Sequence, residues 1–167
     1  SETEKCIIGT VIEKPTEDDT VSKYIINNQV FYQDKARRLW YKIGQMIKAK
    51  ENIDMISVCS SLNGTDTKIG LTAYYVTECT NNTTSPGAVT YHANQIYEKY
   101  LLRRVIVHSE KIKEKAKGNY EDVYDSIEKA HMIFGELLDI RPSQVQDIEE
   151  VISDTLTSIK DKTSKLI

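Results

Sequence analysis

From Ser85 to Leu137 the apolar residues keep a helical period with a single interruption, and that run dictates most of what the chain can fold into. Ser85-Pro86 opens it with a hydroxyl that can cap a helix, followed by a proline at the first helical position, where no amide donor is needed. Val89, Ala93, Ile96, Tyr100, Leu101, Val105, His108, Ile112 and Ala116 then hold one stripe, which takes about eight turns at about 3.6 residues each. Gly118 ends the stripe, and Asn119 can cap the helix that follows. Val123, Ile127, Ala130, Phe134 and Leu137 advance by 4, 3, 4 and 3 residues, the spacing of a heptad seam. Two long helices joined at Gly118-Asn119 predict an antiparallel hairpin. Its expected seam sets Val123, Ile127, Ala130 and Phe134 against the arm that bears Tyr100, Leu101 and Val105.

The segments before the hairpin are shorter but keep the same period. Ile7, Ile8, Val11 and Ile12 make one apolar face, and Val21, Tyr24 and Ile25 a second. Ala36, Leu39, Trp40, Ile43, Met46 and Ile47 predict a helix from about Asp34 to Lys48. Asp54 can cap a short helix carrying Val58, Cys59 and Leu62, which Asn63-Gly64 is expected to stop. Leu71, Tyr74, Tyr75 and Cys79 form another, ended by the polar run from Thr80 to Ser85. After the hairpin, Ile140-Arg141-Pro142-Ser143 breaks the second arm, because proline removes a donor and constrains its predecessor. A last amphipathic helix with Ile148, Ile152, Leu156 and Ile159 on one side follows. The expected class is all-α: a small helical domain over 1–86, a hairpin over 87–140 and a trailing linker helix within 141–167.

Charge and composition restrict the chemistry. With a net charge of -3 the chain is a poor candidate for gripping phosphates by itself. Its apolar runs, such as Val105-Ile106-Val107, are far shorter than a membrane span. Cys6, Cys59 and Cys79 are odd in number and form no Cys-x-x-Cys pair, and Ser1 to Lys5 do not begin a signal peptide. The expected setting is the cytoplasm. No Gly-x-x-x-x-Gly-Lys-Ser/Thr loop and no Gly-x-Gly-x-x-Gly occurs, so no nucleotide cradle can be assigned. His92, His108 and His131 match no zinc spacing, and the paired carboxylates Glu17-Asp18-Asp19, Glu121-Asp122 and Glu149-Glu150 sit where helix dipoles favour them. The expectation is a chain with no catalytic residue, no metal ligand and no cofactor site of its own. The 10 Tyr against 2 Phe, interleaved with Arg37-Arg38 and Arg103-Arg104, leave one further option, stacking on single-stranded bases.

Five segments then carry a family resemblance. Glu4-Lys5-Cys6-Ile7-Ile8-Gly9 resembles the opening Glu-x-x-(apolar)-Leu-Gly helix of replicative helicases of the DnaB type. Phe31-Tyr32 with Arg38-Leu39-Trp40-Tyr41-Lys42-Ile43 is similar to that family's Phe-Tyr…His-Arg-x-Ile-Phe segment, and Ile53-Asp54 with Val58 and Leu62 to its Ile-Asp helix. Ile69-Gly70-Leu71-Thr72-Ala73-Tyr74-Tyr75 resembles its Gly-Gly-x-x-Tyr-Leu turn, and Ser85-Pro86 through Leu102-Arg103-Arg104 its proline-started helix with a central Leu-Arg-Arg. Arg37 stands where the family has His or Asn, and Leu71 where it has a second glycine.

The resemblance covers residues 4 to about 160. It implies the N-terminal, non-catalytic portion of a DNA replication helicase, followed in the family by a RecA-like ATPase domain that holds ATP and Mg and makes most DNA contacts. It implies self-association as dimers within a hexameric collar, docking of primase, and contact with a helicase loader or initiator. On that footing Tyr100, Arg103, Arg104, Val123, Ile127 and Phe134 are the candidate oligomer or primase interface. Ile148, Ile152, Leu156 and Ile159 are the candidate linker surface for a neighbouring subunit's ATPase domain. The alternatives are a stand-alone helical adaptor, loader or inhibitor that binds such a helicase, and a single-strand-binding helical module.

Overall fold

A computed structural model describes residues 1–118 and 123–139, and every regular element among them is helical. These are α1 (Glu2–Glu13), α2 (Asp18–Ser22), α3 (Asp34–Ala49), α4 (Met55–Ser60), α5 (Gly64–Lys68), α6 (Ala73–Thr80), α7 (Pro86–Lys117) and α8 (Val123–Asp139). Single 3-10 turns lie at Pro15–Glu17 and Asn28–Val30.

Short polar side chains start these helices by accepting amides that have no partner inside the helix. The Ser1 hydroxyl takes the Glu4 amide while the Glu4 carboxylate reaches back to the Ser1 ammonium at 2.9 Å. Asp54 accepts from the Ser57 amide at 2.8 Å, Thr72 from Tyr75, and Ser85 from Ala88 with Pro86 just behind it. Asn63-Gly64, expected only to stop a helix, does more. Asn63 accepts from the Thr65 and Asp66 amides while Asp66 accepts from the Asn63 amide, so a capping box opens α5. Gly70 follows with φ +77°, the left-handed turn that glycine adopts at least cost.

The core lies among α1, α3, α6 and the first half of α7. Ile7, Ile8, Val11 and Ile12 meet Tyr75, Val76 and Cys79 there, with Leu39, Trp40 and Ile43 behind them and Val89, Ala93, Ile96 and Tyr97 closing the far side. Gly9 is required by that packing. A Cβ at this position would lie 1.9 Å from the Cys79 carbonyl oxygen, so α1 approaches α6 as only a glycine permits. Phe31 and Trp40 add a tilted ring pair with centroids 5.3 Å apart.

Beyond Tyr100, α7 leaves the core and α8 returns alongside its last turns, giving the expected hairpin. The seam register differs from the sequence reading. Val123, Ile127 and Ala130 share a groove with Ile112 and Ala116, whereas Tyr100 is buried in the globular core and Leu101 packs against it. The cause is geometric: a helix rises about 1.5 Å per residue, so Tyr100 stands too far from Gly118 to face the start of α8. Gly118 caps α7 with extended backbone, its amide donating to the Lys115 carbonyl at 3.0 Å. Asn119, the Ile140-to-Ser143 break and the linker helix lie outside the described residues.

Candidate interaction surface

Arg103 leaves α7 at the root of the hairpin, and its guanidinium donates to the Val30 carbonyl at 2.7 Å. The same group leans over the Tyr32 ring at 5.6 Å and the Tyr100 ring at 5.9 Å. Arg37 repeats the arrangement one residue along, donating to the Phe31 carbonyl at 2.7 Å. Two arginines on successive carbonyls tie the end of the 3-10 turn at Asn28–Val30 and its cap Phe31 to α7 and α3. Glu4 completes this junction by accepting the Tyr32 amide. Tyr100 is 6% exposed, and Arg104 has a buried Nε without a hydrogen-bond partner in the structure.

Val123, Ile127 and Phe134 are 66%, 59% and 38% exposed along α8. The six sequence-derived candidates therefore fall into two places: Tyr100, Arg103 and Arg104 near the root, and Val123, Ile127 and Phe134 on the returning arm. Exposed apolar residues on the outgoing arm join the second group. Leu102 and Ile106, one turn apart, are 64% and 63% exposed, with Val105 and Val107 beside them. The sequence signal for them was a second apolar track running next to the main stripe. Between the arms lies a groove of about 240 Å³ lined by Ile112, Ala116, Val123, Ile127, Ala130 and Ile133. The arms also differ in charge: α7 carries seven Lys and Arg against three Glu, and α8 four carboxylates against one Lys.

Electrostatics elsewhere is structural. Asp66 is buried between Arg38 Nε at 2.8 Å and Lys42 Nζ at 3.0 Å, and Lys42 also donates to the Ser61 carbonyl at 2.8 Å. Burial pushes the Asp66 carboxyl up, but Arg38, Lys42 and the Asn63 amide outweigh it and hold the carboxyl at about 2. The Arg38 guanidinium also leans over the Tyr41 ring, so the Tyr32 and Tyr41 rings each carry a cation on one face. Burial raises all three thiols, Cys79 to about 12, so each stays protonated at neutral pH and is a weak nucleophile. Among the described residues no group of three or more His, Cys, Asp or Glu could hold a metal ion, and no helix is long and apolar enough to cross a membrane. What the surface offers is apolar contact and complementary charge.

A family model described as the DnaB-like helicase N terminal domain matches residues 1–98. The replicative DNA helicase DnaC of Bacillus subtilis (strain 168) is 24% identical over 162 residues, which cover 95% of this chain and 35% of that protein. The chain thus spans about a third of the length of that curated relative. Among solved structures, the N-terminal domain of DnaB helicase from Mycobacterium tuberculosis superposes with a TM-score of 0.67 at 16% identity, covering 81% of this chain and 95% of that one. A DnaB-like replicative helicase, solved in a study of its interactions with primase, matches with a TM-score of 0.65 at 17% identity over 91% of this chain and 34% of its own. At such identities these structures establish the fold, which is the helical one read from the sequence.

Proposed function

The chain belongs to the DnaB-like helicase N-terminal domain family, and from that premise we propose that it is the assembly and docking portion of a replicative DNA helicase, without catalytic chemistry of its own. The observation that carries this reading is the projecting hairpin, whose exposed Leu102, Ile106, Val123, Ile127 and Phe134 form more apolar surface than a monomer has reason to display. Opposite net charge on the two arms suits a self-complementary pairing, with α7 of one copy lying along α8 of another. Such dimers would build the hexameric collar of the parent protein. In this reading Tyr100 and Arg103 anchor the root of the hairpin, while Arg104, Val123, Ile127 and Phe134 meet the partner.

The partners proposed are other copies of the chain, primase, and a helicase loader or initiator, in the cytoplasm. ATP, Mg and most DNA contact are assigned to a RecA-like domain of the parent. Residues 1–86 form the globular part, 87–140 the hairpin and 141–167 the linker, with the first turns of α7 lending the globular part its last wall. Ile148, Ile152, Leu156 and Ile159 are assigned to the surface of the next subunit's ATPase domain, because a lone amphipathic helix needs burial of its apolar face to persist. In the full-length protein Ile152→Asp should weaken ring assembly.

Calorimetric titration of the whole chain with the helicase-binding part of its primase tests the docking claim. Saturable binding is expected, lost in Ile106→Asp, whose side chain is exposed and outside the groove between the arms, while the circular dichroism of the variant stays wild-type. Binding that survives the substitution, or no binding by the wild-type chain, refutes it.

A further inference from the structure

His108 is 7% exposed and stands on the part of α7 flanked by α8, one turn before Ile112, which lines the groove between the arms. Neither ring nitrogen has a hydrogen-bond partner in the structure. A neutral imidazole can tolerate such a place, packing as a flat, largely apolar ring. An imidazolium is disfavoured there, since burying a charge without a partner costs far more than burying an unpaired polar group. The charged groups that act on the ring make this worse. Arg104 and Lys111 lie four and three residues away on the same helix face, so protonation would line up three cations along α7. Among the described residues of α8, Glu136 opposes them.

We propose that His108 makes the hairpin a proton-sensitive joint, in which the neutral ring holds α8 against α7 and protonation releases the returning arm. Burial first, then Arg104 and Lys111, place the folded-state value below the ordinary 6.5 despite Glu136. A group lowered in this way favours the closed hairpin fully at neutral pH, and the advantage fades as pH falls through about 6.5, where the opened state takes up the proton more readily. Opening would separate Val123 and Ile127 from Ile112 and Ala116, and so alter the faces on which copies or partners dock. The globular part, built without His108, would not respond.

Hydrogen exchange on the whole chain at about pH 7.5 and about pH 5.5, corrected for intrinsic exchange, reads the joint directly. With a reference value near 6.5, protection of residues 123–137 should fall by up to about tenfold at the lower pH, while peptides from α1 and α6 keep theirs. His108→Leu should abolish the pH response in α8, and His108→Gln, polar but without charge, should do the same if the leucine variant folds poorly. An equal loss in both variants would assign the response to other groups and overturn the proposal. A gain of protection at low pH would overturn it too, since it would mean that the imidazolium pairs with Glu136 and clamps the arm.

Discussion

Replacing Gly9 and Gly44 by alanine, one at a time, separates a glycine that packing demands from one that it does not. In a helix interior alanine is favoured over glycine by about 1 kcal/mol, so propensity alone stabilises both variants. At Gly9 the added Cβ would start 1.9 Å from the Cys79 carbonyl oxygen and 2.5 Å from its carbon, atoms of the α6 backbone that no rotamer change can move. Reaching the ordinary carbon–oxygen separation of about 3.3 Å means parting α1 from α6 by more than an ångström. A gap of about 0.5–1 Å already forfeits a quarter to a half of each dispersion contact. Ile8, Ile12, Val76 and Cys79, all within the core, would feel it together. Overpacking of this kind costs about 1–3 kcal/mol, occasionally more, and the rigidity of the obstacle argues for the upper end. Net of propensity, Gly9→Ala should lose about 2 kcal/mol, which lowers Tm by about 4–8 °C in a chain of this size. At Gly44 a Cβ would meet nothing within 4 Å, and Gly44→Ala should gain about 0.5–1 kcal/mol. Urea titrations followed at 222 nm read both values with one slope. A Gly9→Ala chain as stable as wild type would refute the close α1–α6 approach.

Asp66→Asn should cost about 1–2 kcal/mol, below the full value for a buried pair because Arg38 is partly exposed and screened. With its carboxyl held at about 2, the native Asp66 contributes fully above the ordinary 3.8 and loses that contribution as pH falls toward 2, so acid unfolding should be shallower in the variant. Arg103→Met should lose about 2 kcal/mol from one charge-assisted hydrogen bond and two ring contacts, with amide exchange rising at residues 30–32; unchanged stability would return Arg103 to the free surface. Lys50 ends α3 in the left-handed region at φ 56°, so Lys50→Gly should stabilise by about 0.5–1 kcal/mol in the same titration.

The hairpin and α3 were legible because their periodicity is local and long: Ala36, Leu39, Trp40, Ile43 and Met46 are all buried, as their spacing required. The Asp66 centre was not, because its cations come from α3, 28 residues earlier in the case of Arg38, and because Asn63-Gly64 reads as a stop when it is also a start. Gly9 could be read only as part of a family motif, since nothing near it in sequence announces the Cys79 carbonyl. Tyr74 and Tyr75 show the ambiguity of short helices: both fit the apolar face by spacing, yet Tyr74 is 74% exposed and Tyr75 is buried. The division of the candidate surface between root and arm followed from where α7 leaves the core, a tertiary fact that a continuous stripe conceals. Tyr100 and Phe134 carry the same helical pattern and end in different surroundings.

The central claim is that the hairpin is an assembly surface, and sedimentation equilibrium of the chain from low to several hundred micromolar tests it most directly. A concentration-dependent dimer is expected for the wild-type chain, and a monomer throughout for Ile106→Asp, whose side chain is 63% exposed and lies outside the groove between the arms, so the substitution should not disturb the fold. A strict monomer across the range, or a dimer that the substitution leaves intact, would contradict the account.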